Sequence, residues 1–504
     1  MESTKPRTRL TGIAAAIVCA CLAFTLTACG TSGVSSSEAS SSASSSAASS
    51  QSASSSAELP SVTAGTAPDK ADITIDETIE NSADGEHAIE ADGTTDSYSN
   101  VEVVKTGDSD SGDEADFYGD NATIFATNGA TLNLSNIVVE SDGTHANGVF
   151  SYGEGTTVNI SDSVIETEGN CSGGLMTTGG GTMNASNLRV LTSGNSSAAI
   201  RSDRGGGTVN VDGGVYATSG TGSPVIYSTA DITVSNAYLE STASQGVVVE
   251  GKNSVTLNDD TVVADNNTKN SDKSDVYQAV MIYQSMSGDA ANGEASFTMN
   301  GGSLTNANGD VFFVNNTVAT ITLNKASIVN NGDGAFLRAA AAGWGNEGSN
   351  GGQVTLKATA QTIDGDMVVD DVSNLNLYLA DASTFTGAIN SDGEAGDVYV
   401  ELAGGSKWVL TADSYITSLT CDADSIDLNG HTLYVDGQAY SAGTASTGTA
   451  IEVVVSESTG NGPGGEPPSG GAPSSGSAPS GGAPSSGGTP PDKPSGSSSS
   501  SKPN

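Results

Sequence analysis

Thr157-Val-Asn-Ile-Ser-Asp-Ser-Val-Ile-Glu166, Thr182-Met-Asn-Ala-Ser-Asn-Leu-Arg-Val-Leu191 and Thr208-Val-Asn-Val-Asp-Gly-Gly-Val-Tyr-Ala217 are three copies of one short unit. Units of this kind start at Thr131, Thr157, Thr182, Thr208, Thr233 and Thr256, at intervals of 26, 25, 26, 25 and 23 residues. They return at Thr298, Thr322 and Thr355, where wider gaps leave room for inserted loops. The strand-like runs are short, helix signals are absent, and Gly, Asn, Asp and Ser mark the turns. A period in the low to middle twenties with about three short strands per unit predicts the coils of a right-handed parallel β-helix, an all-β solenoid. Leucine-rich repeats share the period, but their leucine pattern and helix are missing. Separate β-sandwiches would not hold this phase.

Strand alternation then assigns faces. Val158, Val209, Val234, Leu257, Met299, Leu323 and Leu356 are expected to stack inward, with the preceding threonines outward as a ladder. A second inward column is read as Val149, Leu175, Ile200, Ile226, Val248, Ile282, Phe313 and Leu337. The residues that follow these, Phe150, Met176, Arg201, Tyr227, Val249, Tyr283, Val314 and Arg338, are expected to form an exposed strip. With coils ~4.8 Å apart, a dozen would make a rod roughly 60 Å long. Residues 59–130 and 398–455 are assigned to the first and last coils with their caps, since open strand edges invite association.

Gly148-Val-Phe-Ser-Tyr-Gly153, Ser197-Ala-Ala-Ile-Arg-Ser-Asp-Arg-Gly-Gly-Gly207 and Ile226-Tyr-Ser-Thr-Ala-Asp-Ile-Thr-Val234 resemble right-handed, pectate-lyase-like β-helix surface proteins of gut bacteria. Ser406-Lys-Trp-Val-Leu-Thr-Ala-Asp-Ser-Tyr-Ile-Thr-Ser-Leu419 is similar to the last coils of such proteins and of autotransporter passengers. The resemblance spans most of residues 70–440. It implies a cell-surface role and supplies no established catalytic residues.

The N-terminus carries its own signal. Lys5, Arg7 and Arg9 precede an apolar stretch from Leu10 to Phe24, followed by Leu26-Thr27-Ala28-Cys29. This is the layout of a secretory signal over residues 1–28, with an apolar region too short to span a bilayer. Leu-Thr-Ala-Cys looks like a bacterial lipobox, whose cysteine takes a diacylglyceryl group. Cys29 is therefore expected to anchor the chain in the membrane, with the protein extracytoplasmic at the cell surface. Residues 29–58 read as a Ser/Ala-rich disordered tether, and 456–504 as a Gly/Pro/Ser-rich disordered tail.

A formal charge of −42, from 17 basic and 59 acidic residues, argues against nucleic acid as a partner. Aromatic residues make up 5%, so the core must be thin. Cys171 and Cys421 lie too far apart in the coil order for a mutual disulfide to be expected. A monomer is expected.

The preferred reading is a non-catalytic adhesin or glycan- or protein-binding module, its ligand from a host or bacterial surface. Phe150, Arg201, Arg204, Tyr227, Tyr283, Arg338 and Trp344 are the candidate contacts, because aromatics stack on sugars and Arg favours recognition surfaces. The alternative reading is a polysaccharide lyase or glycoside hydrolase centred on Arg201, Asp203 and Arg204. Polygalacturonase-like motifs are absent, and the adjacent pairs Asp259-Asp260 and Asp370-Asp371 point to opposite faces. His87, His145 and His431 have no ligand or triad spacing in sequence. A structural role in the envelope is the third alternative. No organic cofactor is implied. The acidic run Asp108, Asp110, Asp113 and Asp116 offers hard oxygens suited to Ca²⁺, against the alternative of a solvated loop.

Overall fold

The computed structural model describes residues 58–285 and 287–454, with the side chain of Asp113 also left out. The signal segment, Cys29, the tether up to residue 57, and the tail from 455 lie outside the described residues. Between them the chain is a parallel β-helix. One coil runs through Ile124–Thr127, Thr131–Ser135 and Val138–Ser141, and the next begins at Val149–Tyr152. Each strand pairs in parallel with its counterpart one coil on. Among the described residues, 11 strands from Ile89–Asp92 to Met367–Val369 form one face, the strip sheet. The other two strands of each coil form a ladder sheet and a back sheet, joined where Gly181–Thr192 and Gly207–Thr218 run through both.

The bend between ladder and back sheets is set by one residue per coil in the left-handed backbone region. Asn100, Asn136, Asp162, Asn187, Gly213, Asn236, Asp259 and Gly301 hold it, with φ between 50° and 70°. Asn, Asp and Gly tolerate this conformation best. These corners, rather than the threonines, set the register. Thr208 therefore pairs with Asp231, and Thr233 pairs with Asn210. The inward column read from the threonines slips by two residues here, and because alternation has period two, every residue in it still faces inward. Val158, Val209, Val234, Leu257, Met299, Leu323 and Leu356 all lie in one continuous core.

The strip sheet departs further from expectation. Val247, Val280 and Phe312 stand in line with Ile226 and Leu337, where Val248, Ile282 and Phe313 were read. Val249 and Val314 therefore face the core, not solvent. Three consecutive valines at 247–249 gave the alternation no polar residue to fix its phase.

A second corner returns each back strand to the strip sheet through a Thr-x-Gly-x-x-Ser pattern: Thr167 to Ser172, Thr192 to Ser197 and Thr218 to Ser223. Each threonine hydroxyl donates to its serine's carbonyl at 2.5–2.6 Å. Each serine hydroxyl accepts the backbone N–H of Ala146, Ser172 or Ser197 one coil back, at 2.9 Å. It donates in turn to the carbonyl of Gly143, Gly169 or Gly194. The buried polar groups of these corners are thus satisfied coil by coil; among the described residues no disulfide joins Cys171 and Cys421. Ser197→Ala strands the Ser172 N–H and the Gly169 carbonyl, and is expected to cost about 1–3 kcal/mol. A lowered denaturant midpoint checks this.

Residues 58–72 are not part of a coil. They lie along the back sheet of later coils, with Arg189 holding the Pro68 carbonyl at 3.0 Å and Asp69 at 2.8 Å, and Ser219 bonded to the Glu58 carbonyl. The expected first coil begins at Glu77–Asn81 instead. This stretch has no alternation to mark it as strand. Among the described residues no helix is long and apolar enough to cross a membrane.

Candidate functional site

The strip sheet presents Phe125, Phe150, Met176, Arg201, Tyr227, Val248, Met281, Phe313 and Arg338 in register on its outer face. Insertions roof this face. Residues 106–123 carry the short helix Asp113–Tyr118, while 265–277, 284–293 and 340–351 interrupt later coils. The exposed strip expected from sequence is therefore largely covered, because each insertion leaves from the strip-sheet side and folds back over it.

Phe150 shows this most clearly. It is 0% exposed, packed with Ala122, Phe125 and Met176. Thr178 donates to the Phe117 carbonyl at 2.7 Å and ties the helix down beside it. Phe150 belongs to a satellite core and offers no ligand contact. Arg338 is also committed. Its Nε and Nη2 reach Asp310 at 2.7 and 3.3 Å, and Asp310 also accepts the Ala335 N–H.

Arg201 sits in an ionic knot. Its Nη2 lies 3.0 Å from both Asp116 and Asp203. Asp116, a presumptive calcium ligand in the sequence reading, is turned inward by the helix onto Arg201. Asp108 instead accepts the Thr144 N–H, and Asp110 is exposed. Among the described residues Asp108, Asp110 and Asp116 do not gather into an oxygen cage; the side chain of Asp113 lies outside those described. Burial opposes ionisation of Asp116, but the Arg201 guanidinium, helped by His145 and Asn147, holds its carboxyl below the usual range. For Asp203 burial wins over Arg201, and repulsion from Asp116 and Asp289 adds to it, so its carboxyl is pushed up to about 7. Arg204 lies 3.8 Å over the Phe117 ring and bonds Asp289 at 2.7 and 3.1 Å. Two separate insertions thereby clasp one arginine.

Next to the knot, Tyr227, Tyr283 and Glu250 share a second cluster. Both phenols donate to Glu250 Oε2, Tyr283 at 3.0 Å, and the two hydroxyls lie 3.3 Å apart. Glu250 is 1% exposed, and its Oε1 has no hydrogen-bond partner among the described residues. Burial raises both phenols well above their ordinary range, with Tyr283 and Glu250 adding to it for Tyr227, and Glu250 for Tyr283. Trp344 stands edge-on to Tyr283 with centroids 5.2 Å apart, over Val248, Met281 and Phe313. Its loop is held by Asn350, which donates to the Ala342 and Trp344 carbonyls. Tyr227, Tyr283 and Trp344 line a cavity of about 120 Å³ together with Gln278, Asn266 and Lys269.

A larger hollow, about 740 Å³, runs along the outer face of the ladder sheet far from these groups. Asn133, Asn159, Asn184 and Asn210 line it, each amide donating to the one before at 2.9 Å. Their amides satisfy one another, so size alone does not make this groove the better site.

Sequence reasoning brought Arg201, Arg204, Tyr227, Tyr283 and Trp344 to one face. It missed Glu250, Asp289 and Asp116 as their partners. Glu250 had a readable signal, an acid in line with Val248 on an otherwise apolar strand. Asp289 and Asp116 arrive on insertions, 85 residues from Arg204 and Arg201. No family model and no curated protein matches the chain.

Proposed function

We propose that this chain is a glycan-binding surface protein whose ligand enters the pocket lined by Tyr227, Tyr283 and Trp344. The observation that carries this is the pocket's aromatic wall, in which Tyr283 and Trp344 stand nearly edge to face while the buried Glu250 carboxylate accepts from the Tyr227 and Tyr283 hydroxyls and fixes them. The aromatic walls offer apolar area to the sugar's C–H face. In this reading Cys29 carries the lipid, the protein acts as a monomer outside the membrane, and 58–72 hang the solenoid from its flank.

Asp203 favours a second reading. A carboxyl titrating at about 7 beside Arg201 suits a general acid of a β-helix hydrolase or lyase. A glycan array with the purified protein, repeated with Tyr283→Ala and Trp344→Ala, separates the two. Glycan binding is expected, weakened about tenfold or more in each variant. Absence of binding across a broad array overturns it; release of unsaturated or reducing sugar ends moves the assignment to the enzyme.

A further inference from the structure

The Thr-x-Gly-x-x-Ser corners, and the equivalent Ser-x-Gly-x-x-Ala corner at 141–146, place the residue before their last position in the left-handed backbone region. These residues are His145, Cys171, Ser196 and Gly222, with φ of 58°, 56°, 55° and 66°. Elsewhere such positions are mostly Asn, Asp or Gly. A cysteine is an uncommon occupant there. The stacking of coils sets the His145 and Cys171 side chains on neighbouring coils, and the helix Asp113–Tyr118 lowers Asp116 onto them. One ligand atom from each of Asp116, His145 and Cys171 lies within 4.8 Å of the others.

We propose that Asp116, His145 and Cys171 form a binding site for a divalent transition-metal ion of zinc's class. His145 Nδ1 is buried and pairs with Asp116 Oδ1 at 3.2 Å, with no aligned hydrogen bond among the described residues. That separation is also the spacing of two ligands on one ion. At metal–ligand distances near 2.0 Å, the edge of a tetrahedron is roughly 3.3 Å. Cys171 Sγ, within 4.8 Å of both, is placed to supply a third vertex. Cys171 is partly exposed, which leaves an entry path and a fourth position for water.

The surroundings suit that ion. Asp116 Oδ2 is held by Arg201 while Oδ1 faces His145, so the carboxylate can ligate through one oxygen and be oriented through the other. Asn147 donates to the same Oδ1 at 3.3 Å and is itself fixed by the Gly173 N–H at 2.8 Å. Arg201 and Arg204 supply two positive charges against Asp116, Asp203 and Asp289. A dication with the Cys171 thiolate brings the group to neutrality when all three acids are ionised. Sulfur and nitrogen donors select zinc-like ions over calcium. Binding converts the Cys171 S–H to a metal–sulfur bond and releases that proton to solvent.

The test uses the purified full chain, loaded with Zn²⁺, dialysed and assayed for metal by elemental analysis. One Zn²⁺ per chain is expected for the protein and for Cys421→Ser, and none for His145→Asn or Cys171→Ser. Asparagine keeps the left-handed corner and serine keeps the volume, and melting in chelator identifies a variant that fails to fold. Cobalt loading of the unaltered protein gives an independent reading, a thiolate-to-metal band in the near ultraviolet. No retained zinc and no such band, or full retention by a folded His145→Asn or Cys171→Ser, overturns the proposal. The glycan pocket does not enter into this result.

Discussion

Gly194→Ala is expected to destabilise the solenoid by about 3 kcal/mol or more. A Cβ built on Gly194 falls 1.8 Å from the Gly169 carbonyl oxygen and 2.8 Å from Ser197 Oγ. The obstacle is backbone, and it belongs to the coil beneath. Gly169 and Gly220 stand in the same relation to Gly143 and Gly194, at 1.9 and 1.8 Å. Relief at one corner therefore requires adjacent coils to move apart and break the serine ladder between them. Gly213→Ala is the informative comparison. Gly213 has φ of 70° but open space around its Cβ, so alanine there meets only backbone strain of about 1–2 kcal/mol. Denaturant midpoints of the two variants give the readout. Equal midpoints would mean that the corners are not rigidly stacked.

Arg201→Met is expected to cost about 3–5 kcal/mol at neutral pH, because Asp116 and Asp203 would be left buried without their cation. The pH dependence carries the more specific expectation. In the intact protein the two carboxyls act in opposite directions. Asp116, held below its ordinary value, contributes stability that is present above about pH 4 and is lost as pH falls through its folded value. Asp203, raised to about 7, contributes stability that is present below about pH 4 and is lost as pH rises through about 7. Without Arg201 both carboxyls favour the protonated form, so the variant should recover towards the parent as pH is lowered from 8 to 5. Melting temperatures across that range provide the measurement. A constant gap between the two proteins would show that the knot is solvated and contributes little.

How far the site was legible follows from where its parts sit. Arg201, Tyr227 and Arg338 lie in strands, and alternation placed them on the outer face correctly. Tyr283 also faces outward, in line with Glu250 rather than with Tyr227. Phe150 was assigned to the same face and does lie on it, yet it is buried. Alternation separates inside from outside the solenoid, and an insertion that covers the outside leaves no trace in the strand itself. The helix Asp113–Tyr118 reads in sequence as a run of acids, and only its packing turns Asp116 from a solvated carboxylate into the partner of Arg201 and His145. His145 and Cys171 were passed over because their spacing of 26 residues matches no ligand motif. That spacing is one coil of the solenoid, which is why the two meet.

The chain's own alternation and corner residues determined that it coils, how many residues each turn takes, and which side chains of the ladder sheet face the core. Those properties are local and repeat every coil, so an error of two residues in register leaves them unchanged, whereas the one-residue slip at Val247–Val249 in the strip sheet exchanged inside and outside. Tertiary structure alone decided what covers the outer face. That depends on insertions far apart in sequence meeting over one sheet, with Asp116 and Asp289 each closing on an arginine 85 residues distant. Contacts of that range follow from the stacking of coils, which no single repeat contains.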